Sequence, residues 1–327
     1  MADALTVSVI TPCFNAAAHI RATVESVLAQ DYPHVEYLVM DGGSTDGTLD
    51  VLRSFGQRVR WISEPDRGQA DAINKGFAQT HGQILAWLNA DDTYAPGAIR
   101  TAADFLANHP DIAVVYGNAN FIDAEGKLIG PCAHIEPYNK HRLFHYSDFI
   151  VQPAAFFRRS AFQAVGGLDP NLNWTMDYDL WLKLARDRSM QHIPQVLADY
   201  RWLGESKTAS GGWKRLEEIR TLLRRHGCGT PAYVRLECIN AHLQDAVAGV
   251  RRGQPGTAAA NVVRATATLL ASPRAMRSLF SPHTWRIIYT GRVLRRSGKS
   301  ETRNPSPPNP KSEIRIPESN PNDPMTK

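Results

Sequence analysis

No apolar stretch of this sequence approaches the length of a membrane-spanning helix, and its N-terminus has neither a basic region nor an apolar signal core. Cysteine is scarce, since the four cysteines among 327 residues are scattered and show no paired metal-ligand spacing. These absences disfavour a membrane-embedded protein, a secreted disulfide-rich protein and a cysteine-based zinc site. We therefore expect a cytoplasmic protein whose thiols are reduced and mostly buried.

Acidic residues are missing from one long segment. Residues 251–299 contain ten Lys/Arg and no Asp or Glu, so the rest of a chain with net charge +5 is net acidic. Such a segment fits a solvated helical face, and it also fits a surface that binds anionic lipid headgroups. A peripheral position on the inner face of the cytoplasmic membrane is the resulting hypothesis. Because no nucleic-acid-binding motif accompanies the charge, we do not expect nucleic acid as a partner.

The sequence also lacks two familiar nucleotide-binding motifs. No Gly-x-Gly-x-x-Gly follows the first predicted strand, which disfavours a dinucleotide-binding fold. No complete phosphate loop of the form Gly-x-x-x-x-Gly-Lys-Ser/Thr occurs either. The chain therefore fits neither of these nucleotide-binding classes.

What the sequence does contain is an alternation of strand-like and helix-like segments. Short apolar runs at 7–10, 35–40, 61–62 and 84–88 are each followed by apolar residues at helical spacing. This β–α alternation predicts an α/β fold with a mostly parallel central sheet flanked by helices. The 43% hydrophobic content is sufficient for one large domain with an appendage.

Composition and spacing divide the chain into three parts. Residues 1–210 carry the α/β pattern, with a hairpin tip predicted at 123–126 and a further strand at 154–157. Residues 211–299 read as a basic, helical C-terminal extension. Residues 300–327 contain seven prolines and few apolar side chains, so we expect this tail to be disordered.

A polar cluster follows each of the four apolar runs. The clusters are Thr11-Pro-Cys-Phe-Asn15, Asp41-Gly-Gly-Ser-Thr-Asp-Gly47, Ser63-Glu-Pro-Asp-Arg-Gly-Gln69 and Asn89-Ala-Asp-Asp92. Because the carboxyl ends of parallel strands share one edge, Asp41, Asp66, Asp91 and Asp92 should gather on one rim. A carboxylate-rich rim suits a divalent cation and a phosphate-bearing ligand.

Each cluster taken alone also fits a structural role. The Asp41–Gly47 cluster fits a strand-to-helix turn in which Ser44 or Asp46 caps the helix. The Asn89–Asp92 cluster fits a solvated turn, and residues 64–76 fit a surface loop with ion pairs. Single motifs leave these alternatives open.

Taken together and in order, the motifs resemble family 2 glycosyltransferases with the GT-A fold, of the type found in bacterial polysaccharide biosynthesis. The matching patterns include Asp-Gly-Gly-Ser-Thr-Asp-Gly-Thr, Glu-Pro-Asp-x-Gly-Gln-x-Asp-Ala-x-Asn-Lys-Gly and Asn-Ala-Asp-Asp. Downstream, Gln152–Arg158, Gly166–Asp169 and Met176–Leu182 match the same family. The resemblance covers roughly residues 5–210.

The resemblance implies a nucleotide-sugar donor, with UDP the usual nucleotide, and places the donor at the four clusters. Asp41 would contact the base, and Asp91 and Asp92 match the acidic motif that holds Mn²⁺ or Mg²⁺. The remaining implied donor contacts are Thr11, Pro12, Phe14, Asn15, Gly42, Ser44, Asp66, Arg67 and Asn74. A saccharide or lipid-linked acceptor is implied as the second substrate, with Gln152 and Trp174 as its contacts.

The resemblance also implies a catalytic base at Asp177, supported by Asp179. A predicted helix start near Asp177 favours its ionised form, which suits a group that takes a proton from an acceptor hydroxyl. One base without a carboxylate nucleophile predicts single displacement with inversion, and a metal ion would neutralise the departing diphosphate. The structural alternative is that Asp177 is only a helix N-cap.

One position departs from the family pattern. Leu203 stands where relatives often have a histidine, and Arg201 or Lys207 is our hypothesis for the replacement charge. Two other classes of function stay open: a catalytically silent nucleotide-sugar-binding protein and a sugar nucleotidyltransferase. The latter would need a basic, glycine-rich N-terminal loop, and Thr11–Asn15 offers no Lys or Arg.

Overall fold

The computed structural model describes residues 4–203 and 212–270. Lys207, residues 271–299 of the basic segment and the predicted disordered tail lie outside these ranges. Nine strands occur in the described residues: β1 (Val7–Cys13), β2 (Val35–Asp41), β3 (Arg60–Ser63), β4 (Ile84–Trp87), β5 (Thr93–Tyr94), β6 (Ile112–Ile122), β7 (Leu128–Pro131), β8 (Ala155–Arg158) and β9 (Ser189–Arg201).

Helices alternate with the strands and continue after the last strand. They are α1 (Ile20–Leu28), α2 (Thr48–Arg53), α3 (Gln69–Ala78), α4 (Ala98–Asn108), α5 (Lys140–His145), α6 (Arg159–Ala164), α7 (Met176–Leu184), α8 (Gly212–Arg225), α9 (Ala232–Arg251) and α10 (Pro255–Leu270). Short 3-10 turns occur at Gly56–Arg58 and Gln152–Ala154.

The strands form one sheet in the order β3-β2-β1-β4-β8-β6-β9-β5, with β7 paired to β6. Strands β1 to β4 pair in parallel, so the four predicted polar clusters follow strand ends that point the same way. Strand β8 runs antiparallel between β4 and β6, which makes the sheet mixed. The predicted α/β fold class is confirmed, as are the hairpin between β6 and β7 and the strand near residue 155.

Burial on both faces explains the near-continuous apolar runs. All seven residues of β1 and all four of β4 are buried, as expected for strands covered by helices on two sides. On one face, Trp87 of β4 stacks on Trp181 of α7 with ring centroids 6.1 Å apart. This contact fixes α7 against the strand that ends in the acidic cluster.

A glycine brings α3 close to the same edge. A Cβ on Gly76 would lie 2.7 Å from the Cγ2 atom of Ile10, so only glycine allows this approach of α3 to β1. Helix α3 begins at Gln69, whose side-chain amide donates to the Asn89 side-chain oxygen at 2.6 Å. The start of α3 and the end of β4 are therefore joined at the rim.

The described part of the C-terminal extension packs on the α/β core. Leu216, Ile219, Leu222 and Leu223 of α8 are buried in the same hydrophobic cluster as Trp181. Helices α9 and α10 approach closely where a Cβ on Gly249 would lie 3.2 Å from the backbone nitrogen of Ala258. Across the two described ranges, no helix combines the length and the apolar character needed to cross a membrane.

Candidate active site

A cavity of about 400 Å³ opens beside the carboxyl end of β4. Its wall combines Asp91, which follows β4, with Gln152, which precedes β8. Trp174, just before α7, and Asp177, in its first turn, line the same cavity. Four residues that the sequence places in separate motifs, over 86 positions of chain, thus meet in one space.

Asp41 is the centre of the loop that follows β2. The side chain accepts hydrogen bonds from the backbone amides of Gly43 and Ser44, both at 3.0 Å, and from the hydroxyls of Ser63, at 2.6 Å, and Ser44. Burial raises the pKa of Asp41, but these hydrogen bonds outweigh the effect and hold its pKa below the ordinary value. Asp41 is therefore an ionised group that shapes the loop from within.

The loops after β1 and β2 are bonded to each other. The backbone amide of Asn15, in the left-handed conformation with φ 49°, donates to the Ser44 hydroxyl at 2.8 Å. The Asn15 side-chain oxygen accepts from the Thr45 amide at 2.9 Å. Phe14, beside them, is 64% exposed. The first two predicted clusters therefore form one rigid rim with an aromatic side chain at its surface.

The cluster after β3 contacts the same rim. A Cβ on Gly42 would lie 2.6 Å from a side-chain oxygen of Asp66, so the lack of a side chain at Gly42 lets Asp66 approach this loop closely. Asp66 also accepts from the Gly68 amide at 2.7 Å. Arg67 points outward and pairs with Asp71 at 2.9 Å, which is the surface ion pair that the structural alternative predicted.

Three of the implied donor contacts have inward-facing side chains. Thr11 and Pro12 are buried in β1, and the Thr11 hydroxyl lies 3.1 Å from the Tyr37 hydroxyl. The Asn74 amide group donates to the Leu168 carbonyl at 2.8 Å and accepts from the Leu168 amide at 3.1 Å. Asn74 thereby ties α3 to the segment that leads into α7.

The two adjacent carboxylates after β4 have different surroundings. Asp92 is 1% exposed and accepts hydrogen bonds from the Arg201 amide at 2.9 Å and the Asn89 side chain at 3.1 Å. Burial, reinforced by the neighbouring charge of Asp91, raises the pKa of Asp92. Asp91 lines the cavity, and burial raises its pKa as well. Of the two, Asp91 is the carboxylate that faces the ligand space.

The Arg201 guanidinium donates hydrogen bonds to the backbone of this acidic turn and of the hairpin between β6 and β7. Its Nε donates to the Asp91 carbonyl at 2.8 Å, and its Nη1 donates to the carbonyls of Asp123 and Ala124 at 2.7 and 2.9 Å. The residue is 4% exposed. These bonds keep the guanidinium at the acidic turn, where its charge lowers the pKa of Asp91 and Asp92 against the effect of burial. The hypothesis that Arg201 supplies the charge of the histidine replaced by Leu203 stays a prediction.

Asp177 and Asp179 also differ. Asp177 lies in the first turn of α7 and lines the cavity, whereas Asp179 is fully buried behind it. Asp179 pairs with Lys183 at 2.6 Å and contacts the His226 ring at 2.8 Å. Burial raises the pKa of Asp179, but the bonds from His226 and Lys183 outweigh this and lower it. Asp179 is thus a packing anchor for α7, while Asp177 is available to the cavity.

Two titratable residues at the site belong to none of the sequence motifs used above. Asp148 lines the cavity, and burial together with the charge of Asp177 raises its pKa well above the ordinary value. His19 precedes α1 and is close enough to Asp91 for each to influence the pKa of the other. Burial is the main effect on His19 and lowers its pKa. No motif in the sequence marked either residue as part of the site.

We expect Asp148→Asn to stabilise the protein increasingly as the pH rises. The folded-state pKa of Asp148 lies above its unfolded value of about 3.9, so between the two the folded state binds more protons and loses stability with rising pH. Asparagine carries no such cost. Thermal unfolding of both proteins from pH 4 to pH 8 measures the effect, with the exposed Asp187→Asn as control. A melting-temperature difference that is constant with pH would contradict it.

Solved structures of known proteins share this architecture. One is Staphylococcus aureus TarS 1–349 in complex with UDP-GlcNAc, with a TM-score of 0.57 at 15% identity over 90% of this chain and 91% of that chain. Another is the mannosyltransferase PcManGT from Pyrobaculum calidifontis in complex with GDP-Man and Mn²⁺, with a TM-score of 0.55 at 20% identity over 91% and 88%. The fold is that of GT-A glycosyltransferases.

Sequence relatives agree with the fold. An uncharacterized glycosyltransferase of Rickettsia typhi is 28% identical over 229 residues, which cover 66% of this chain and 70% of the relative. One from Mycobacterium tuberculosis is 29% identical over 235 residues, or 70% and 88%. Chondroitin synthase of Escherichia coli is 30% identical over 193 residues, which cover 58% of this chain and 28% of the synthase. This protein is a glycosyltransferase.

The particular family follows from the N-terminal half. Residues 8–166 match the family model described as Glycosyl transferase family 2. This match confirms the resemblance to family 2 glycosyltransferases inferred from the ordered motifs. The matched region includes all four strand-end clusters and Gln152 but ends before Trp174 and Asp177.

Proposed function

We propose that the protein transfers a sugar from a nucleotide-diphosphate donor to a hydroxyl of a saccharide or lipid-linked acceptor, with inversion. The observation that carries the proposal is that Asp91, after β4, and Asp177, at the start of α7, line the same cavity. A UDP-sugar is the favoured donor. The TarS complex with UDP-GlcNAc and the PcManGT complex with GDP-Man support a nucleotide sugar as the class of ligand.

The donor is proposed to lie across the rim formed by the loops after β1, β2 and β3. Phe14 is exposed there and offers a flat apolar surface to the base, and Asp66 and Gly42 lie beside it. Asp41, Ser44 and Asn15 hold the rim in shape through their mutual hydrogen bonds. For Thr11 and Asn74, whose polar atoms have internal partners, we propose a supporting role rather than direct donor contact.

A divalent cation fits Asp91 on the donor side of the cavity. Among residues 4–203 and 212–270, no group of three or more ligating side chains is assembled for a metal. Mg²⁺ and Mn²⁺ sites that bind substrate diphosphates commonly use only one or two protein carboxylates, so a single cavity-facing Asp91 is compatible with such a site. A bound cation would neutralise charge on the diphosphate leaving group.

Asp177 is proposed to take the proton of the acceptor hydroxyl. Its place in the first turn of α7 favours the ionised carboxylate, because the amide ends of a helix carry partial positive charge. The hydroxyl oxygen then forms a bond to the anomeric carbon while the bond to the diphosphate oxygen breaks. Asp148 is a second carboxyl group in the cavity, but its raised pKa favours the protonated form, which is a poor nucleophile. This supports single displacement.

The acceptor is proposed to enter on the side of Gln152 and Trp174. The Gln152 side chain donates to the Trp87 carbonyl at 2.7 Å, and its own oxygen has no hydrogen-bond partner among the described residues. An acceptor hydroxyl could satisfy that oxygen, and the Trp174 ring could stack on a sugar.

For residues 251–299 we propose contact with anionic lipid, which flotation on phosphatidylglycerol vesicles at low and high salt would test.

Product analysis tests the proposed function. The full chain is incubated with UDP-GlcNAc, other UDP-sugars and GDP-mannose, each with a panel of saccharide and lipid-linked acceptors and with or without Mn²⁺, and ligand binding is followed by thermal shift. Release of nucleoside diphosphate is expected for glycosyl transfer. Pyrophosphate formation from a sugar phosphate and a nucleoside triphosphate would instead indicate a nucleotidyltransferase. Binding of a nucleotide sugar without any turnover would favour the catalytically silent alternative.

A further inference from the structure

Helix α8 lies beyond the region that matches the family model, yet it forms part of the cavity wall. Arg215 and Ile219 of this helix line the cavity beside Trp174 and Asp177. Leu222 and Leu223, on its inner face, are at most 1% exposed. The helix is thus held firmly by the core while its other residues reach the acceptor side of the site.

Glu218 of α8 contacts the segment before α7 through both of its carboxylate oxygens. One carboxylate oxygen accepts from the backbone amides of Trp174 at 2.7 Å and Thr175 at 2.9 Å, and from the Thr175 hydroxyl at 2.9 Å. The other oxygen accepts from the Asn173 amide at 2.9 Å. Hydrogen bonds to an ionised acceptor are about twice as strong as neutral ones. Three consecutive amides are therefore fixed by a single side chain.

These amides are the ones that precede α7. Thr175 is the N-cap residue of α7, but its own side chain makes no capping bond. A negative charge beside the first amides of a helix is favourable because of the helix dipole. Glu218 thus places a carboxylate from another helix against the three amides that lead into α7.

The segment held in this way carries two cavity residues. Trp174 is in the bonded segment itself, and Asp177 follows Thr175 by two residues in the first turn of α7. The far end of α8 is tied to the same region, because Arg225 pairs with Asp169 at 2.7 Å and His226 contacts Asp179 at 2.8 Å. Near its start, α8 is held to α9 by the Arg215–Glu237 pair at 2.9 Å. Since α8 has contacts at both ends, a change at Glu218 should act mainly on the Asn173–Thr175 segment.

We propose that Glu218 is a positioning residue that orients Trp174 and the Asp177 carboxylate for transfer to the acceptor. The inference rests on the proposed function, since it assigns Glu218 to the acceptor half of that site. A displacement of a base by about 1 Å is enough to lower turnover strongly. Donor binding, which depends on the rim after β1, β2 and β3, should be unaffected.

Glu218→Gln and Glu218→Ala are the test variants. Glutamine keeps the size but replaces one acceptor oxygen by an NH₂ group, while alanine leaves all four donors without this partner. Glu217→Gln is the matched surface control, because Glu217 is 64% exposed and pairs only loosely with Arg220 and Arg224, at 3.7 and 3.6 Å. Leu223→Ala is the stability control, because it leaves a void on the same helix and removes none of the Glu218 hydrogen bonds to the Asn173–Thr175 segment.

The measurements are the dissociation constant for UDP-GlcNAc and kcat for nucleoside-diphosphate release in the presence of the saccharide or lipid-linked acceptor that wild type uses, both well below the melting temperature of each variant. If another nucleotide sugar is the donor that wild type consumes, it replaces UDP-GlcNAc. We expect kcat to fall about 10-fold for Glu218→Gln and about 100-fold for Glu218→Ala, with donor affinity within twofold of wild type. Glu217→Gln should match wild type.

The outcomes separate the two proposals. If wild type consumes no nucleotide sugar, the proposed function fails and the role of Glu218 falls with it. If wild type is active and Glu218→Gln and Glu218→Ala keep its kcat, the proposed function stands and the role of Glu218 fails. A kcat loss in Leu223→Ala as large as in Glu218→Ala would also overturn that role, because general destabilisation of α8 would then explain the effect.

Discussion

Asp177→Asn is expected to lower kcat for sugar transfer by about 10³-fold while leaving donor affinity within twofold of wild type. Asparagine fills the same space but cannot take the proton of the acceptor hydroxyl, and loss of a general base commonly costs 10²- to 10⁴-fold. Asp177 lines the cavity from the first turn of α7, and Asp91 lines the same cavity. Nucleoside-diphosphate release and the dissociation constant for the nucleotide sugar measure the two effects separately.

Asp187→Asn is the matched control, since this exposed aspartate follows α7 and does not line the cavity wall that the described residues form. It should retain wild-type kcat. Asp179→Asn gives a second comparison, because Asp179 is buried in contact with Lys183 and His226. It should lower the melting temperature more than Asp177→Asn does. An Asp177→Asn enzyme with unchanged kcat would remove Asp177 from the role of base.

Asp91→Asn is expected to weaken Mn²⁺-dependent nucleotide binding by about 10-fold or more and to lower kcat by about 10²-fold. The carboxylate faces the ligand space, and a carboxylate is a far better ligand for a hard cation than an amide oxygen. Removal of a group that stabilises the leaving group typically costs 10²- to 10³-fold in turnover. Calorimetric titration of UDP with and without Mn²⁺ measures the metal-dependent part of binding independently of turnover.

Asp92→Asn provides the contrast at the neighbouring position. Asp92 is turned into the protein, where it accepts from the Arg201 amide and the Asn89 side chain. Its replacement should change the melting temperature and leave the Mn²⁺ dependence of nucleotide binding nearly intact. If Asp92→Asn abolished that dependence and Asp91→Asn did not, the assignment of the two carboxylates would have to be reversed.

The strand ends were predictable because they depend on local pattern. Apolar runs of strand length, each followed by a polar cluster and then by helical spacing, are properties of neighbouring residues in the chain. The end of β4 illustrates this, since Ile84–Trp87 and the acidic residues after it were expected from adjacent positions alone. The order of the motifs then identified the family.

The arrangement within the site was less predictable. Asp91 and Asp92 are adjacent and chemically identical, and a hydrogen bond from the Arg201 amide, 109 residues from Asp92 in the chain, helps to hold Asp92 inward. Asp148 lies in the irregular stretch between β7 and β8, and no motif marks its approach to Asp177. Contacts between distant segments depend on how helices and loops pack, which periodicity does not encode.

The sequence by itself determined the fold class, the family and the chain positions of the acidic residues, because these follow from composition, periodicity and motif order. The tertiary structure alone decided which carboxylates face the cavity and which hold the framework. It also placed α8, assigned by sequence to a separate extension, at the wall of the site with Glu218 bonded to the Asn173–Thr175 segment. The physical reason is that burial and hydrogen bonding are set by long-range packing, and these decide whether a given side chain is available to a ligand.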